Sequence, residues 1–469
     1  MSSAIVVGSG PNGLACAAVL AGRGVEVTVI EAEERIGGGT RSSELTAPGL
    51  LHDECSAFHP MAVGSPAVTS LDLGRHGLEW LWPEVDLAHP LDGAWGASML
   101  RSIEATAAGL GSGGRTWKRV FGRSARGYEA LVEDIFQPLI RVPRHPLLLS
   151  GFGLASALPA KALARLLGTP EAAALFGGVA AHSFNRLDQP FSAAIGVALI
   201  SAGHAYGWPV AKGGSAAIAA AFAASLREHG GRVETGRPVH SLEELPQADA
   251  VVLDLSPRGV LELAGERLPP RVARAYRRYR FGPSAFKLDL AVEGGVPWAY
   301  EPARRAGTVH VGGSFAEIAA AERDVNRGRM PERPFVLVGQ QYLADPGRSQ
   351  GDLHPVWAYA HVAQGYAGDA SEAVLDQVER FAPGLRERIV ARATRAPAEI
   401  EAANPNLVAG DIATGANDPR QLLFRPRLTA NPYSTGIPGV FICSAATPPG
   451  AGAHGICGYN AAEAVLRTL

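Results

Sequence analysis

The 469-residue sequence has few cysteines, few lysines and no excess of charge of either sign. Its four cysteines, Cys16, Cys55, Cys443 and Cys457, form no C-x-x-C pair and are too few for a disulfide framework. We therefore expect reduced thiols and a cytoplasmic location. The 43 basic and 45 acidic residues nearly balance, which argues against a dedicated nucleic-acid-binding protein.

Long uninterrupted apolar runs and metal-ligand patterns are missing as well. Residues 189–211 carry no Asp, Glu, Lys or Arg, but Pro190, Gly203, His204 and Pro209 interrupt them, so a buried helix suits them better than a membrane span. The N-terminus lacks the basic and apolar regions of a signal peptide. No spacing of His, Cys, Asp and Glu suggests a metal site. We expect no transmembrane helix, and peripheral contact with a membrane stays open.

The first forty residues carry the clearest pattern. A short apolar strand at residues 5–7 runs directly into GSGPNG at residues 8–13, and a helix of small residues follows it. Residues 25–31 then form a second strand that ends at Glu31. This β-turn-α-β unit with G-x-G-x-x-G is typical of dinucleotide binding, with the phosphates at the helix N-terminus and the ribose hydroxyls on the acid.

A second G-x-G-x-x-G occurs at residues 109–114, where no strand precedes it. We interpret this copy as a turn between helices, because the structural context of a nucleotide site is missing. No other copy indicates a separate NAD(P)H domain.

The residues after Glu31 bear on the choice between NAD and FAD. Residues 32–42 read AEERIGGGTRS, so a second glycine run follows the ribose-binding acid. Free backbone there can follow the pyrophosphate and ribityl chain of a longer ligand, and Arg35 or Arg41 can meet the phosphate charge. A plain polar loop is the alternative.

The α/β patterns lie at the start of the chain, near residue 230 and at the end. Strand signals occupy residues 286–292, 308–311, 335–342 and 356–362, and a last strand at 439–443 precedes the final helix. We predict an α/β protein with a Rossmann-like domain built from discontinuous segments, residues 1–75, 205–262 and 410–469. Residues 76–204 and 263–409 form a second, α+β substrate domain with a mixed sheet and helices.

Both ends of the sequence resemble a known superfamily. The N-terminal block and the tail at residues 441–455 (FICSAATPPGAGAHG) are similar to the flavin-binding signatures of the amine oxidase and phytoene desaturase superfamily. Blocks at residues 55–60, 207–210, 212–215 and 404–406 resemble bacterial phytoene-desaturase-like proteins akin to pyridine nucleotide-disulphide oxidoreductase domain-containing protein 2. The resemblance covers nearly the whole chain and implies FAD as the cofactor.

The resemblance also implies roles for individual residues. The residues implied in FAD binding are Gly8, Gly10, Pro11, Asn12, Gly13, Glu31, Arg35, Gly38, Gly39, Thr40, Arg41, Val239, Ser444, Gly452, His454 and Gly455. Those up to Glu31 contact the ADP half, and Val239 contacts the adenine side. Residues 452–455 lie near the flavin ring, where a helix N-terminus stabilises negative charge.

Three side chains are candidates for catalysis. His454 interrupts the glycine-rich turn beside the expected ring and suits proton transfer, although a capping or packing role is the alternative. His59 either lines the substrate cavity or stabilises a turn before a proline. Lys287 resembles the lysine that amine oxidases place near the flavin, but strand alternation equally predicts a solvated polar face shared with Asp289. His361, Gln340 and Gln341 are further candidates for the cavity lining, and strand alternation allows at most one of the two glutamines to face it.

The leading functional hypothesis is an FAD-dependent oxidoreductase that dehydrogenates an apolar or mixed organic small molecule to form a C=C bond, with hydride transfer to flavin N5. The electron acceptor is oxygen or a quinone. Oxidation of a C–N bond, as in amine oxidases, is the second hypothesis, and a flavin-dependent saturase or isomerase is a third. A protein that uses FAD only as a structural scaffold is the non-enzyme alternative. The oligomeric state does not follow from the sequence.

Overall fold

The computed structural model describes residues 2–138 and 140–469. Its strands are β1 (Ser3–Val7), β2 (Glu26–Ile30), β3 (Ser42–Glu44), β4 (Leu51–Asp53), β5 (Trp80–Leu81), β6 (Val85–Leu91), β7 (Trp95–Met99), β8 (Val210–Ala211), β9 (Arg232–Glu234), β10 (Ala250–Leu253), β11 (Ser284–Glu293), β12 (Ala306–Val311), β13 (Val336–Gly339), β14 (Leu353–Val362), β15 (Ile389–Arg395) and β16 (Val440–Ile442).

Helices fill most of the remaining chain. They are α1 (Pro11–Gly22), α2 (Pro66–Ser70), α3 (Ile103–Gly109), α4 (Gly114–Arg126), α5 (Tyr128–Ile135), α6 (Pro146–Ala157), α7 (Ala160–Leu167), α8 (Pro170–Ala181), α9 (Ala194–Tyr206), α10 (Ala216–Glu228), α11 (Pro257–Ala264), α12 (Pro270–Arg277), α13 (Phe315–Val325), α14 (Ser371–Glu379), α15 (Leu385–Arg388), α16 (Pro397–Ala403), α17 (Pro419–Leu423) and α18 (Ile456–Leu466).

One sheet is parallel and has five strands in the order β16-β10-β1-β2-β9. Apolar residues fill both faces of its central strands, which parallel sheets require because helices cover both faces. On one face α1 packs between α10 and α18, and Gly458 of α18 approaches so closely that a Cβ there would lie 1.8 Å from the Asn12 carbonyl oxygen. The two ends of the chain therefore fold into one unit.

The second sheet is mixed and has seven strands in the order β15-β11-β14-β13-β12-β6-β7. Its long central strands, β11 and β14, are buried over nearly their whole length, so both faces of this sheet are covered. The stretch from α3 to α9 forms a helical layer whose buried core includes Trp117, Phe121 and Phe176. The second glycine motif forms the tight turn between α3 and α4, outside the parallel sheet.

The predicted fold class, a Rossmann-like domain from discontinuous segments beside a mixed α+β part, is confirmed. The residue bounds given above for the two domains stay a prediction. Within the described residues, no single helix is long and apolar enough to cross a bilayer, and α6 and α7 reach that criterion only as a pair bent by 101°.

Candidate flavin and substrate site

A cavity of about 830 Å³ runs between the carboxyl ends of the parallel strands, the mixed sheet and the helical layer. At one end it is lined by backbone of residues 8–12 and 38–41, and at the other by aromatic and aliphatic side chains. Crevices at the carboxyl ends of parallel strands are where ligands bind in open α/β sheets. This position and volume suit an extended ligand together with a smaller one.

The glycines of the first motif all pack against one residue, Asp254, which follows β10. A Cβ on Gly10 would lie 2.6 Å from Asp254 Oδ2, and one on Gly13 would lie 2.2 Å from the Gly8 carbonyl oxygen. The Gly13 amide donates a hydrogen bond of 2.9 Å to Asp254 Oδ2. Side chains at these positions would separate β1, α1 and β10, so the motif is needed for packing as well as for ligand approach.

Asp254 is a site residue that the sequence did not reveal. It is buried, lines the cavity and lies beside the N-terminus of α1. Burial raises the pKa of its carboxyl to about 7, and the nearby charge of Glu31 acts in the same direction. The G-x-G-x-x-G pattern gives no sign of a partner some 240 residues away, since only the parallel pairing of β1 with β10 brings them together.

Glu31 ends β2 and lines the cavity, in the place where the sequence predicted a ribose contact. Its Oε2 accepts a hydrogen bond of 2.8 Å from the Ser9 amide, and its Oε1 accepts one of 2.9 Å from the Glu33 amide. These bonds hold the carboxylate in one orientation beside the glycine turn. Oε2 accepts a second hydrogen bond, of 2.5 Å, from the Ser9 hydroxyl. A carboxylate oxygen has about two acceptor positions, so Oε1 is the oxygen that retains capacity for a ligand hydroxyl. Val239 lines the same end of the cavity.

The second glycine run lies directly against the first. A Cβ on Gly38 would lie 3.3 Å from the Gly10 Cα, and the Gly37 amide donates to the Ser9 carbonyl oxygen at 2.9 Å. Gly39, Thr40 and the buried Arg41 continue along the cavity. The prediction of a plain polar loop is therefore wrong, because this run is packed into the site.

The two arginines of this run behave differently. Arg41 is buried and its guanidinium lies 3.6 Å from Glu31 Oε1, so it places a positive charge in the cavity. Arg35 does not line the cavity. Its guanidinium contacts Glu54 at 2.6 Å and Ser43 at 3.1 Å on a largely exposed surface. The expected role of Arg35 along the ligand path is thus not supported by its position.

The C-terminal turn brings Ser444, Gly452 and His454 to the cavity. His454 is buried, its ring stacks on Phe136 at 5.8 Å between centroids, and burial lowers its pKa to about 4. Its Nδ1 accepts a hydrogen bond from the Ile456 amide at 3.1 Å. The neutral ring must therefore carry its proton on Nε2. That N–H makes no hydrogen bond of normal geometry within the described residues, although the Ala451 carbonyl lies close enough to oppose the lowering of the His454 pKa.

This tautomer changes the role expected for His454. A ring that is neutral and already protonated on its cavity-facing nitrogen is a hydrogen-bond donor and a poor general base. The orphaned donor fits an oxygen of a bound ligand. Gly455, by contrast, lies behind the cavity lining at the start of α18, where a Cβ would meet the Phe222 ring at 2.8 Å.

His59 lies in the cavity lining but its ring is engaged elsewhere. Its Nε2 shares a hydrogen bond of 2.9 Å with Ser215 Oγ, and its amide donates to the Pro209 carbonyl oxygen at 2.9 Å. Burial lowers the pKa of His59 to about 4. These contacts support the structural alternative, in which His59 orders the loop after β4.

Lys287 is buried on β11, and its ammonium contacts the carboxylate of Asp289. The expected solvated face is therefore wrong, because β4 and the following loop cover it and bring His52 to 3.3 Å from Asp289. Burial lowers the pKa of Lys287, although Asp289 opposes that shift. Lys287 lines a small cavity of about 30 Å³ that adjoins the main cavity and shares Gly38, Gly39 and Cys55 with it, and this cavity has room for one or two water molecules.

Three further candidates for the cavity lining are wrong. His361 is buried against Glu322, with 2.6 Å between Nδ1 and Oε1, and does not line the cavity. Gln340 is also buried, where it accepts a hydrogen bond from the Trp298 indole at 3.1 Å. Gln341 follows in a short turn and is not among the lining residues either. Alternation along a strand could not show that β13 ends at Gly339, before both glutamines.

The end of the cavity beyond His454 is strongly apolar. We call the part lined by the segments 135–208 and 308–359 the apolar chamber. Its lining residues are Ile135, Phe136, Leu149, Phe152, Gly153, Ser156, His182, Phe184, Phe191, Ala194, Ile195, Ala198, Leu199, Trp208, Thr308, Leu337, Trp357 and Tyr359. This set contains no Asp, Glu, Lys or Arg, and burial lowers the pKa of His182 to about 3, so its ring is neutral.

The residues present fit a flavin dinucleotide. The cradle at Gly10 and Gly38 is open only because neither residue has a side chain, as a pyrophosphate requires. The N-cap residue of α1 is Gly10, which has no side chain to cap the helix, and buried Asn12 Oδ1 and His454 Nε2 have no partner of normal geometry within the described residues. Unpartnered buried polar atoms of this kind mark positions that a ligand satisfies.

Comparison with known proteins agrees with this geometry. Residues 6–71 match the family described as NAD(P)-binding Rossmann-like domain. The chain is 23% identical to pyridine nucleotide-disulfide oxidoreductase domain-containing protein 2 of Rattus norvegicus, over 99% of this chain and 93% of the relative.

The chain is a homologue of that protein. The match extends from the nucleotide motif to the C-terminal turn, so the resemblance expected from the sequence is confirmed.

Solved structures share the whole fold. An oxidoreductase from Methanosarcina mazei superposes with a TM-score of 0.64 at 15% identity, covering 99% of this chain and 100% of that one. Putrescine oxidase, in a structure bound to putrescine, gives a TM-score of 0.64 at 16% identity over 99% of both chains. The chain therefore shares its overall architecture with both of these enzymes.

Proposed function

We propose that this protein is an FAD-dependent oxidoreductase that dehydrogenates an uncharged, largely apolar small molecule. The observation that carries the proposal is the continuity of one cavity, from the glycine cradle past His454 into the apolar chamber. Bound FAD supplies a hydride acceptor at this position. The protein then has to bind and orient the substrate, exclude water and manage one proton.

The chain's own residues divide these tasks. Glu31 would hold the ribose of the ADP half, and Arg41 with the amides at the start of α1 would hold the pyrophosphate. The Nε2–H of His454 donates a hydrogen bond to an oxygen of the bound ligand, and its stacking on Phe136 fixes the ring. The chamber's aromatic side chains exclude water, which strengthens that hydrogen bond.

The lining of the apolar chamber favours C–C over C–N dehydrogenation. An ammonium group placed there would lie among uncharged side chains with no carboxylate to pair with it, and burying an unpaired charge is costly. The likeness to putrescine oxidase concerns the fold alone. Lys287, which the family resemblance suggests as a reacting residue, is paired with Asp289 and lines only the small adjoining cavity.

The test is direct. The purified protein should carry or bind FAD, and anaerobic addition of neutral apolar candidates should bleach the flavin absorbance, whereas primary amines should not. Reoxidation with oxygen and with a quinone then identifies the electron acceptor. A colourless protein that does not bind added FAD would contradict the cofactor. Bleaching by amines alone would contradict the C–C assignment.

A further inference from the structure

Three helices, α4, α6 and α7, form the outer part of the helical layer. Both α4 and α6 pack on α9, whereas α7 packs on α8, and α4 contacts both other outer helices. Their exposed faces therefore point away from α8 and α9 and form one neighbouring surface, which we call the outer helical face.

The outer helical face exposes large apolar side chains. Val142 is 89% exposed, Leu147 76%, Leu154 75% and Leu166 59%. Leu147, Gly151 and Leu154 lie one or two turns apart on α6, so they share one side of that helix. Single exposed leucines are ordinary on a soluble protein, but a cluster on adjacent segments marks an interaction surface.

The same face is strongly basic. Residues 109–169 contain nine Lys and Arg but only three Asp and Glu, a formal charge of +6 against −2 for the whole chain. Five of the nine, Arg115, Lys118, Arg119, Arg123 and Arg126, follow the exposed side of α4. None of these five forms an ion pair with a residue that the structure describes. Positive charge beside exposed apolar groups is complementary to an anionic lipid surface.

Helix α6 also separates this face from the apolar chamber. Its Leu149, Phe152 and Ser156 line the chamber, while Leu147 and Leu154 face outward. The chamber is thus one helix away from the surroundings at this place.

We propose that the outer helical face docks on an anionic bilayer, with α6 lying in the interface and Leu147 and Leu154 in the acyl boundary. The bend of 101° between α6 and α7 and the buried Leu163 and Leu167 hold this pair flat on the protein. If the proposed function is correct, the docked enzyme takes its apolar substrate from the lipid phase, past α6. Docking itself does not depend on that function.

A second copy of the chain or a nucleic acid fits this surface less well. Two such faces, each carrying the five basic residues of α4, would repel each other, which disfavours a symmetric dimer through this face. A nucleic acid matches the basic side chains but leaves the leucines exposed to water.

Cosedimentation with vesicles tests the proposal on the flavin-loaded full-length protein. We expect binding to vesicles containing phosphatidylglycerol, weak binding to pure phosphatidylcholine, and release by salt. The double variant L147D/L154D should weaken binding at least about tenfold. The triple variant R115E/R119E/R123E should weaken it by about fivefold or more for each charge removed.

Matched controls come from other surfaces of the same chain. Val390 on β15 is 63% exposed, so V390D introduces the same kind of charge elsewhere. R271E/R274E/R277E removes three exposed arginines from α12, which has no large exposed apolar side chain. Both controls should bind vesicles like the parent protein.

Three outcomes would overturn the proposal. They are no vesicle binding by the parent protein, equal loss of binding in the test and control variants, and a change of oligomeric state in L147D/L154D with vesicle binding intact. Flavin content and melting temperature show whether each variant is folded. Release of the parent protein from vesicles by salt tests the electrostatic part of the proposal without any substitution. Substrate-driven bleaching is measured without lipid, so failure of docking and failure of the proposed function are distinguishable.

Discussion

At the scale of single residues, His454 is the most informative position. Its neutral ring donates from Nε2, so His454→Gln keeps a donor and His454→Leu removes it. We expect the leucine variant to lower the rate of anaerobic flavin reduction by roughly a hundredfold, as for the loss of one preorganised donor, and the glutamine variant to lose much less. Stopped-flow absorbance measures both rates.

The pH dependence of that rate shows whether His454 acts as a hydrogen-bond donor or as a general base. Because burial lowers the pKa of His454 to about 4, the ring stays neutral through the neutral range. The rate should show no inflection near the ordinary histidine pKa of about 6.5. An inflection there that His454→Gln abolishes would show that the ring acts as an acid or base.

Asp254 predicts a pH-dependent stability. Its folded pKa of about 7 lies above the ordinary aspartate pKa of 3.8, so folding favours the protonated form. The stabilisation is complete below the unfolded pKa and is lost as pH rises through the folded value, in total up to about 4 kcal/mol. Asp254→Asn keeps an acceptor for the Gly13 amide and cannot ionise. Urea unfolding of both proteins between these pH values should show a steeper decline for the parent, and parallel curves would contradict the assignment.

At the scale of elements, the two G-x-G-x-x-G copies offer a matched comparison. A Cβ on Gly10 would lie 2.6 Å from Asp254 Oδ2, whereas one on Gly109 would meet nothing within 4 Å. Gly10→Ala should therefore weaken FAD binding roughly ten- to hundredfold, and Gly109→Ala should leave it unchanged. Flavin fluorescence titration measures both affinities. Equal affinities would show that the β1–α1 turn does not hold the dinucleotide.

The sequence predicted helices and strands well where the residues that indicate them are close together in the chain. The predicted strand at residues 5–7 and the small-residue helix correspond to β1 and α1, since an apolar run and a Pro at the first helical turn are local features. The segment β15 was missed, because its sequence IVARATR has only two large apolar residues and carries two arginines, Arg392 and Arg395, at a half-exposed sheet edge. Its antiparallel pairing with β11 stabilises a strand that its own sequence does not indicate.

The site was less predictable than the elements. Glycines, Glu31 and His454 stand in short motifs, so their sequence neighbours identified them. Asp254 and the burial of Lys287 depend on contacts between distant segments, which no local period encodes. The alternation of β11 correctly placed Lys287 and Asp289 on one face but could not show that β4 covers it.

At the scale of the whole molecule, a buried charge cluster joins distant segments. Arg348 contacts Asp53 at 2.6 Å and Asp345 at 3.0 Å and donates to the Ala211 carbonyl oxygen at 2.8 Å. Burial alone would raise the pKa of Asp53, but the Arg348 guanidinium and hydrogen bonds outweigh it and lower that pKa. The stabilisation from this pair is therefore present at neutral pH and is lost as acid protonates Asp53.

Removing the cation should be strongly destabilising. Arg348→Met leaves two carboxylates buried without a partner, and we expect a loss of about 3–5 kcal/mol in the free energy of unfolding. Arg305 is a control because its ion pairs with Glu84 and Glu301 are exposed, so Arg305→Met should cost less than about 1 kcal/mol. Urea denaturation measures both. Similar small losses would mean that Arg348 does not hold these segments together.

The parallel sheet has a consequence for how the chain is made. The strand β16 joins beside β10, and α18 covers α1, although β1 and α1 are synthesised first. During synthesis, the free edge of β10 and the apolar face of α1 remain exposed to water until β16 and α18, near the C-terminus, have been made. We expect nascent chains that stop before Val440 to bind chaperones and to remain without flavin, and this dependence to end once the last helix has emerged.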